Sequence, residues 1–300
     1  MRALALLPLL LLLAACGGSS SGGRPTVVAT TTQLADVARE IGGDAVDVHQ
    51  ILQPNTDPHE YEPRPADVRA TAGAKLVLAS GDGLDAWIGE IARQAGGHAR
   101  MLTVAPAHLR FRRAGDPHWW HDPRNMAAAV PVLRDALARV APSAAYAIAR
   151  RAADYAQRVR ALDAGIAACM RSVPASRRAL VTSHDAFGYF AARYGIRVVG
   201  AVIPSQTEEA QPSAGQLSRL ARVVRASHVR AVFPESSLNP KLAQAVAAQT
   251  GARADLKLYG DTLGPEGSSG DTYLKMELAN ARAMVEGFTG GARTCRISRL

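Results

Sequence analysis

Eight histidines occur in this chain of 300 residues, and three of them lie in segments built like ligand-binding loops. His59 sits in Gln53-Pro54-Asn55-Thr56-Asp57-Pro58-His59-Glu60-Tyr61-Glu62-Pro63, past a β-branched run ending at Ile51. His118 sits in Asp116-Pro117-His118-Trp119-Trp120-His121-Asp122-Pro123, and His184 in Thr182-Ser183-His184-Asp185-Ala186-Phe187, directly after an apolar run from Ala179. In open α/β sheets the loops beyond the carboxyl ends of the strands line the ligand crevice, so imidazoles delivered from three such loops can converge. Taken singly, each reads as an ordinary surface or hydrogen-bonded histidine; the repeated context is what points to a shared site. Asp261, in Lys257-Leu258-Tyr259-Gly260-Asp261-Thr262-Leu263-Gly264, holds the same kind of position, and alone it reads equally as a solvated turn residue. Three neutral imidazoles and one carboxylate make an N3O shell suited to tetrahedral Zn2+, with Cu2+ and Ni2+ competing by affinity, whereas Mn2+ prefers more oxygen.

Neighbouring residues are candidates to support that shell. Glu60 either orients a ligand imidazole or faces solvent. Glu235, in Phe233-Pro234-Glu235-Ser236, lies either near the cleft or at the cap of a helix beginning near Asn239. Trp119 and Trp120 either shield the site from water or pack in the core, the commoner use of tryptophan.

The elements that must carry these loops follow from periodicity. Short β-branched runs alternate with helical patterns, which predicts parallel α/β architecture. Strands are expected at 27–31, 46–51, 75–79 and 100–104, then near 179–183, 196–201, 229–233 and 254–258. Leu34, Val37, Ala38 and Ile41 trace a helix face closed by Gly42-Gly43, and Leu84, Trp87, Ile88 and Ile91 trace another. A helix over 124–140 carries Met126, Val130, Leu133, Leu137 and Val140, with Pro131 expected to kink it. From Ser143 to Met170 the rhythm changes: Ile148, Ala152, Tyr155, Val159, Leu162, Ile166 and Cys169 form one stripe, broken by no turn signal except Gly165. Such a segment makes a rod of roughly 40 Å. Helices are then expected near 186–194, 213–226, 239–250 and 272–288. The expected fold is two α/β lobes with parallel sheets joined by one long helix.

The amino terminus sets the compartment. After Met1-Arg2, residues 3–15 are almost entirely Leu and Ala, too short a run for the roughly 20 apolar residues that span a bilayer, and they read as an export signal. Leu13-Ala14-Ala15-Cys16-Gly17 resembles the lipobox of bacterial lipoproteins, in which the cysteine is diacylated and becomes the first residue; the other reading is an export signal with an incidental cysteine. The glycine- and serine-rich stretch to Pro25 has the composition of a flexible tether, and two acyl chains suffice for stable anchoring. With Cys16 given to lipid, Cys169 and Cys295 remain as an even pair in an oxidising compartment, either bridged, tying the tail to the long helix, or free. The expected divisions are signal 1–15, tether 16–25, first lobe 26–141, linking helix 142–173, second lobe 174–290 and tail 291–300.

The formal charge of +9 does not identify a nucleic-acid partner. Only Lys75, Lys241, Lys257 and Lys275 are lysines, the arginines are dispersed, and aromatics make up 5% of the chain, so the basic stripe with stacking rings is absent. Three cysteines are too few for a disulfide scaffold.

Taken together, the segments 27–42, 53–63 with Asp57-Pro58-His59, 75–91, 116–123, 181–190 and 229–274 resemble the zinc/manganese solute-binding proteins of bacterial ABC importers, the cluster A-I family. The similarity runs from Pro25 to Phe288. It implies two lobes on a rigid helix, one metal between them, and His59, His118, His184 and Asp261 as its ligands, two from each lobe. Manganese-selective members carry glutamate where His184 stands, so the resemblance implies zinc. Two departures accompany it. The histidine-rich loop of many zinc members is missing, since only His108 stands amid Arg110, Arg112 and Arg113; metal capture of that kind is then absent or supplied by a partner such as a periplasmic metallochaperone. His121 stands where the family usually has leucine; four other donors already close the shell, so it is read as a supporting or surface residue.

The function expected is capture of extracytoplasmic Zn2+ by a monomeric, lipid-anchored protein and its delivery to a membrane permease and its ATPase. A manganese-binding component is the near alternative. A zinc metallohydrolase using the three histidines with Asp261 or Glu60 as base is a more distant one, because catalytic zinc keeps an open position that a four-donor shell lacks. A structural surface lipoprotein with incidental histidines is the third.

Overall fold

The computed structural model describes residues 23–203 and 212–297, so the export run and Cys16 lie outside the described residues. The first lobe holds strand β1 (Thr26–Ala29), helix α1 (Thr32–Gly42), β2 (Asp47–Gln50), α2 (Pro65–Gly73), β3 (Leu76–Gly81), α3 (Ile88–Gln94), β4 (Arg100–Ala105) and α4 (Pro123–Val140). Its strands form a parallel sheet in the order β2-β1-β3-β4, with Val27 beside Val48 on one side and Leu76 on the other. α1 buries the expected Leu34, Val37, Ala38 and Ile41, and its first turn is capped by the Thr31 hydroxyl, which accepts from Leu34 N at 3.3 Å. α4 runs on through Pro131, which sits on its exposed side.

α2 has no counterpart in the periodic pattern, and the reason is visible: it buries Asp67 and Thr71 rather than an apolar stripe. Local chemistry specifies it instead. Pro65 occupies the first turn, and the Asp67 carboxylate accepts from Arg64 N at 2.8 Å and Tyr61 Oη at 2.7 Å.

The expected rod is α5 (Ala145–Arg171), 27 residues with Ile148, Ala152, Tyr155, Val159, Leu162 and Ile166 buried along one stripe. The second lobe follows with β5 (Ala179–Thr182), α6 (Gly188–Tyr194), β6 (Arg197–Ala201), α7 (Ala214–Ala226), α8 (Lys241–Thr250) and α9 (Tyr273–Thr289). β5 and β6 are parallel. The strands expected at 229–233 and 254–258 do not form continuously; isolated parallel bridges Thr182–Phe233, Ala231–Arg253 and Glu235–Leu258 stand in their place. Pro234, which has no N–H, interrupts the ladder, leaving bonds such as Phe233 N to Val181 O and Val232 N to Arg253 O, both 2.8 Å. These bridges continue the sheet in the order β6, β5, 231–235, 253–258, the same plan as the first lobe.

One apolar cluster unites the two lobes: Leu34 and Ile41 of α1, Leu133 of α4, Val159 and Leu162 of α5, Phe187, Phe233 and Leu258 of the second lobe, and Met284 and Phe288 of α9. Smaller clusters cover the outer sheet faces, around Val28 and Val77 in the first lobe and Val181 and Val232 in the second. A disulfide joins Cys169 on α5 to Cys295 in the tail. It also accounts for Gly165, a residue that weakens a helix interior: a Cβ there would stand 2.6 Å from Ile297 Cδ1 of the stapled tail. Among the described residues no helix is long and apolar enough to cross a membrane.

Candidate metal centre

Each of the four expected donors projects from the carboxyl end of a sheet. His59 follows β2, His118 follows β4, His184 stands two residues past β5, and Asp261 follows the bridged segment ending at Leu258. Two are set by the same local device. In Asp57-Pro58-His59 the Asp57 carboxylate accepts from His59 N at 2.7 Å, and in Asp116-Pro117-His118 the Asp116 carboxylate accepts from His118 N at 3.0 Å. Aspartate closing a turn on the residue two positions on, with proline fixing the residue between, is ordinary turn chemistry used here to aim a ring.

The imidazoles surround the carboxylate. Nε2 of His118 lies 3.1 Å and Nε2 of His59 3.7 Å from Asp261 Oδ1, and Nε2 of His184 lies 3.3 Å from Oδ2. One candidate donor atom from each residue fits within a 4.8 Å cluster. All three Nε2 atoms and both Asp261 oxygens are buried without a hydrogen-bond partner. In a tetrahedral shell with bonds of about 2.0–2.1 Å the donors stand about 3.3–3.4 Å apart, and the carboxylate–imidazole distances lie near that spacing. Among the described residues no cysteine belongs to the cluster.

Two of the three remaining ring nitrogens face a carboxylate from behind. Asp116 Oδ1 lies 2.9 Å from His118 Nδ1, which places the hydrogen on Nδ1 and leaves Nε2 free to bind. Glu235 Oε2 lies 2.8 Å from His184 Nδ1, while its Oε1 accepts from His184 N at 2.8 Å. Glu235 is therefore a support of His184, not a helix cap; before α8 it is the Asn239 side chain that accepts from Lys241 N, at 3.1 Å. Glu60 is exposed. His121 is buried outside the donor cluster, Nδ1 2.7 Å from Glu277 Oε1 and Nε2 2.9 Å from the Gly260 carbonyl. Trp119 and Trp120 are buried core residues, yet both keep a polar role: Trp119 Nε1 donates to Ser80 Oγ at 2.9 Å and Trp120 Nε1 to Gly260 O at 3.1 Å.

Electrostatics follow from packing a carboxylate among imidazoles away from water. Burial opposes the charged form of Asp261, but His184, His118 and His59 outweigh it and hold the carboxyl well below its ordinary range. Burial likewise opposes protonation of His118, and Asp116 and Asp261 carry it above its usual value. His184 rises further, Asp261 and Glu235 overcoming its burial. Burial pushes the Glu277 carboxyl up against the pull of His121.

The sequence did not single out Asp116 or Glu277. Asp116 was findable, because Asp-Pro-His occurs twice; Glu277 was not, lying 156 positions from His121.

Two parallel-sheet lobes fixed on one helix, with a dry cluster of cation donors where their carboxyl edges meet, define a metal solute-binding protein. The chain belongs to the family described as zinc-uptake complex component A, periplasmic, whose profile matches residues 27–287. It is 31% identical over 260 residues to the manganese-binding lipoprotein MntA of Halalkalibacterium halodurans, covering 85% of this chain and 86% of that one. It is 30% identical over 265 residues to the iron-binding protein YfeA of Yersinia pestis, covering 86% and 85%. The solved structure of the periplasmic zinc-binding protein TroA from Treponema pallidum superposes with a TM-score of 0.82 at 29% identity, covering 89% of this chain and 99% of that one. The family consists of the solute-binding components of ABC importers, working with a permease and an ATPase, and not of enzymes. The metallohydrolase alternative is overturned by that membership.

Proposed function

We propose that this chain captures Zn2+ outside the cell through His59, His118, His184 and Asp261 and delivers it to the permease of an ABC importer. The observation that carries the reading is the set of three unpartnered, buried Nε2 atoms facing an unpartnered carboxylate at 3.1–3.7 Å. Relatives named for manganese, iron and zinc are about equally similar, so the choice of metal rests on the donors. Three imidazole nitrogens suit zinc, while manganese favours oxygen, which only Asp261 supplies. MntA and other relatives are named as lipoproteins, which supports the reading of Cys16 as the lipid-bearing residue that ties the protein to the outer face of a membrane.

Competition with a chromogenic chelator tests the assignment. Zn2+ is expected to bind one to one and more tightly than Mn2+, and His184→Ala is expected to weaken zinc binding at least about 100-fold while the apo protein keeps its fold. Parental affinity in that variant, or tighter binding of Mn2+ than of Zn2+, would overturn the zinc assignment.

A further inference from the structure

The zinc reading leaves a fourth buried imidazole outside the donor set. Both nitrogens of His121 are engaged, Nδ1 with Glu277 and Nε2 with the Gly260 carbonyl, and its face stacks on Phe187 with ring centroids 4.4 Å apart and planes at 25°. These partners lie on different parts of the second lobe. Gly260 immediately precedes Asp261, Phe187 stands in the loop that begins with His184, and Glu277 belongs to α9. His121 itself stands three positions after His118. One ring therefore touches the segments that carry three of the four donors.

The chemistry of the contact assigns its direction. A carbonyl oxygen accepts only, so Nε2 of His121 carries a hydrogen and donates it to Gly260, while Nδ1 shares a proton with Glu277. Trp120 Nε1 donates to the same carbonyl at 3.1 Å. On the other side of Asp261, Gln33 Nε2 donates to its own carbonyl at 2.9 Å. The first lobe thus holds the peptide oxygens on both sides of the Asp261 Cα. The side chain leaves that Cα toward the three imidazoles, so any tilt of the 260–261 peptide moves its oxygens relative to all of them.

We propose that His121 is a positioning residue for the metal, whose Nε2–H bond to Gly260, steadied by Glu277 and Phe187, keeps Asp261 in place and so sets how long Zn2+ stays bound. This rests on the zinc reading. The ring does not bind the ion; it acts through the Gly260 peptide.

The test compares the parent protein with His121→Leu and with the double variant His121→Leu/Glu277→Leu. The double variant is needed because the single change strands a buried carboxylate, whereas replacing both members of a buried pair with apolar groups is near neutral for stability. Release of Zn2+ is followed by stopped-flow capture with excess chelator, and Co2+ is loaded separately to read the visible ligand-field bands. Both variants are expected to release Zn2+ about 10- to 100-fold faster, the range seen when a group behind a metal ligand is lost, and to shift the Co2+ bands as Asp261 moves. A merely structural His121 would lower the melting temperature of the apo protein without moving those bands. A double variant that releases Zn2+ at the parental rate, or with parental Co2+ bands, overturns the proposal and leaves the zinc reading standing. A parent that binds no Zn2+ overturns both.

Discussion

Replacing Gly260 with alanine isolates the contact on which two of the four donors depend. The backbone there is not left-handed, so alanine brings no conformational penalty of its own. Its Cβ, however, would stand 2.2 Å from Glu235 Oε2 and 3.4 Å from His184 Cε1. Non-bonded carbon and oxygen need more than about 3 Å, so either the carboxylate or the 259–262 loop must shift by about 1 Å. Glu235 is fully enclosed and has nowhere to retreat without loosening its 2.8 Å bond from His184 N. Losing a hydrogen bond to a charged acceptor costs about 1.5–3 kcal/mol, and overpacking about 1–3 kcal/mol; the two overlap, giving about 2–4 kcal/mol for the apo protein. For a body of this size that lowers the melting temperature by about 4–16 °C. Because the shift moves His184 or Asp261, zinc affinity should also fall about 10- to 100-fold, or about 1.4–2.7 kcal/mol. Differential scanning calorimetry reads the first effect and chelator competition the second. Gly89→Ala, whose Cβ meets nothing within 4 Å, is the control. A Gly260→Ala protein that melts with the parent and binds zinc within twofold of it would refute the reasoning.

Two further outcomes follow from groups away from the donors. Asp36, on α1, accepts from Tyr273 N at 2.9 Å at the start of α9, and burial, with Glu40 and Asp271 adding repulsion, pushes its carboxyl up to about 6 from 3.8. Since the folded value exceeds the unfolded one, ionisation opposes folding, and this group removes about 3 kcal/mol as the pH rises from about 4 to 6. Asp36→Asn keeps an oxygen for Tyr273 and should exceed the parent in urea resistance by up to that amount near pH 7.5, with no advantage below about pH 4; an equal difference at both pH values would contradict the assignment. The Cys169–Cys295 bridge closes a span of 126 residues, for which the chain-entropy relation gives about 5 kcal/mol. Cys169→Ala/Cys295→Ala should therefore lower the urea midpoint of the apo protein markedly, and an unchanged midpoint would show that the staple contributes little.

The candidate donors His59 and His118 were legible because each sits in a short segment whose own residues aim it. Asp57 and Asp116 lie two positions before His59 and His118, and strand, turn and helix signals surround His184 in sequence. The helices with apolar stripes, α1, α4 and α5, were legible for the same reason, their buried positions repeating along the chain. Contacts made by folding alone were not. Glu277 meets His121 across both lobes, and nothing within α9 marks it as different from a surface glutamate. Glu235 had two readings that only its distance from His184 could separate. α2 escaped notice because it is specified by Pro65 and Asp67 rather than by apolar spacing, and Pro234 turned two expected strands into bridges that no propensity scale registers.

The apolar cluster shared by α1, α4, α5 and α9 makes this a carrier with no free hinge. Trp120, Phe187 and Tyr273 are all buried close to the meeting of the lobes, and the Tyr273 hydroxyl donates to the Trp120 carbonyl at 2.8 Å. Uncovering three such rings, at about 150–250 Å² each and ~25 cal/mol/Å², would cost more than about 10 kcal/mol. A rearrangement that exposed all three completely would therefore rival the folding stability of an ordinary domain. Under the proposed function, release by local give in the loops that carry His59, His118, His184 and Asp261 avoids that cost, which makes the compliance of those loops the quantity a permease would act upon.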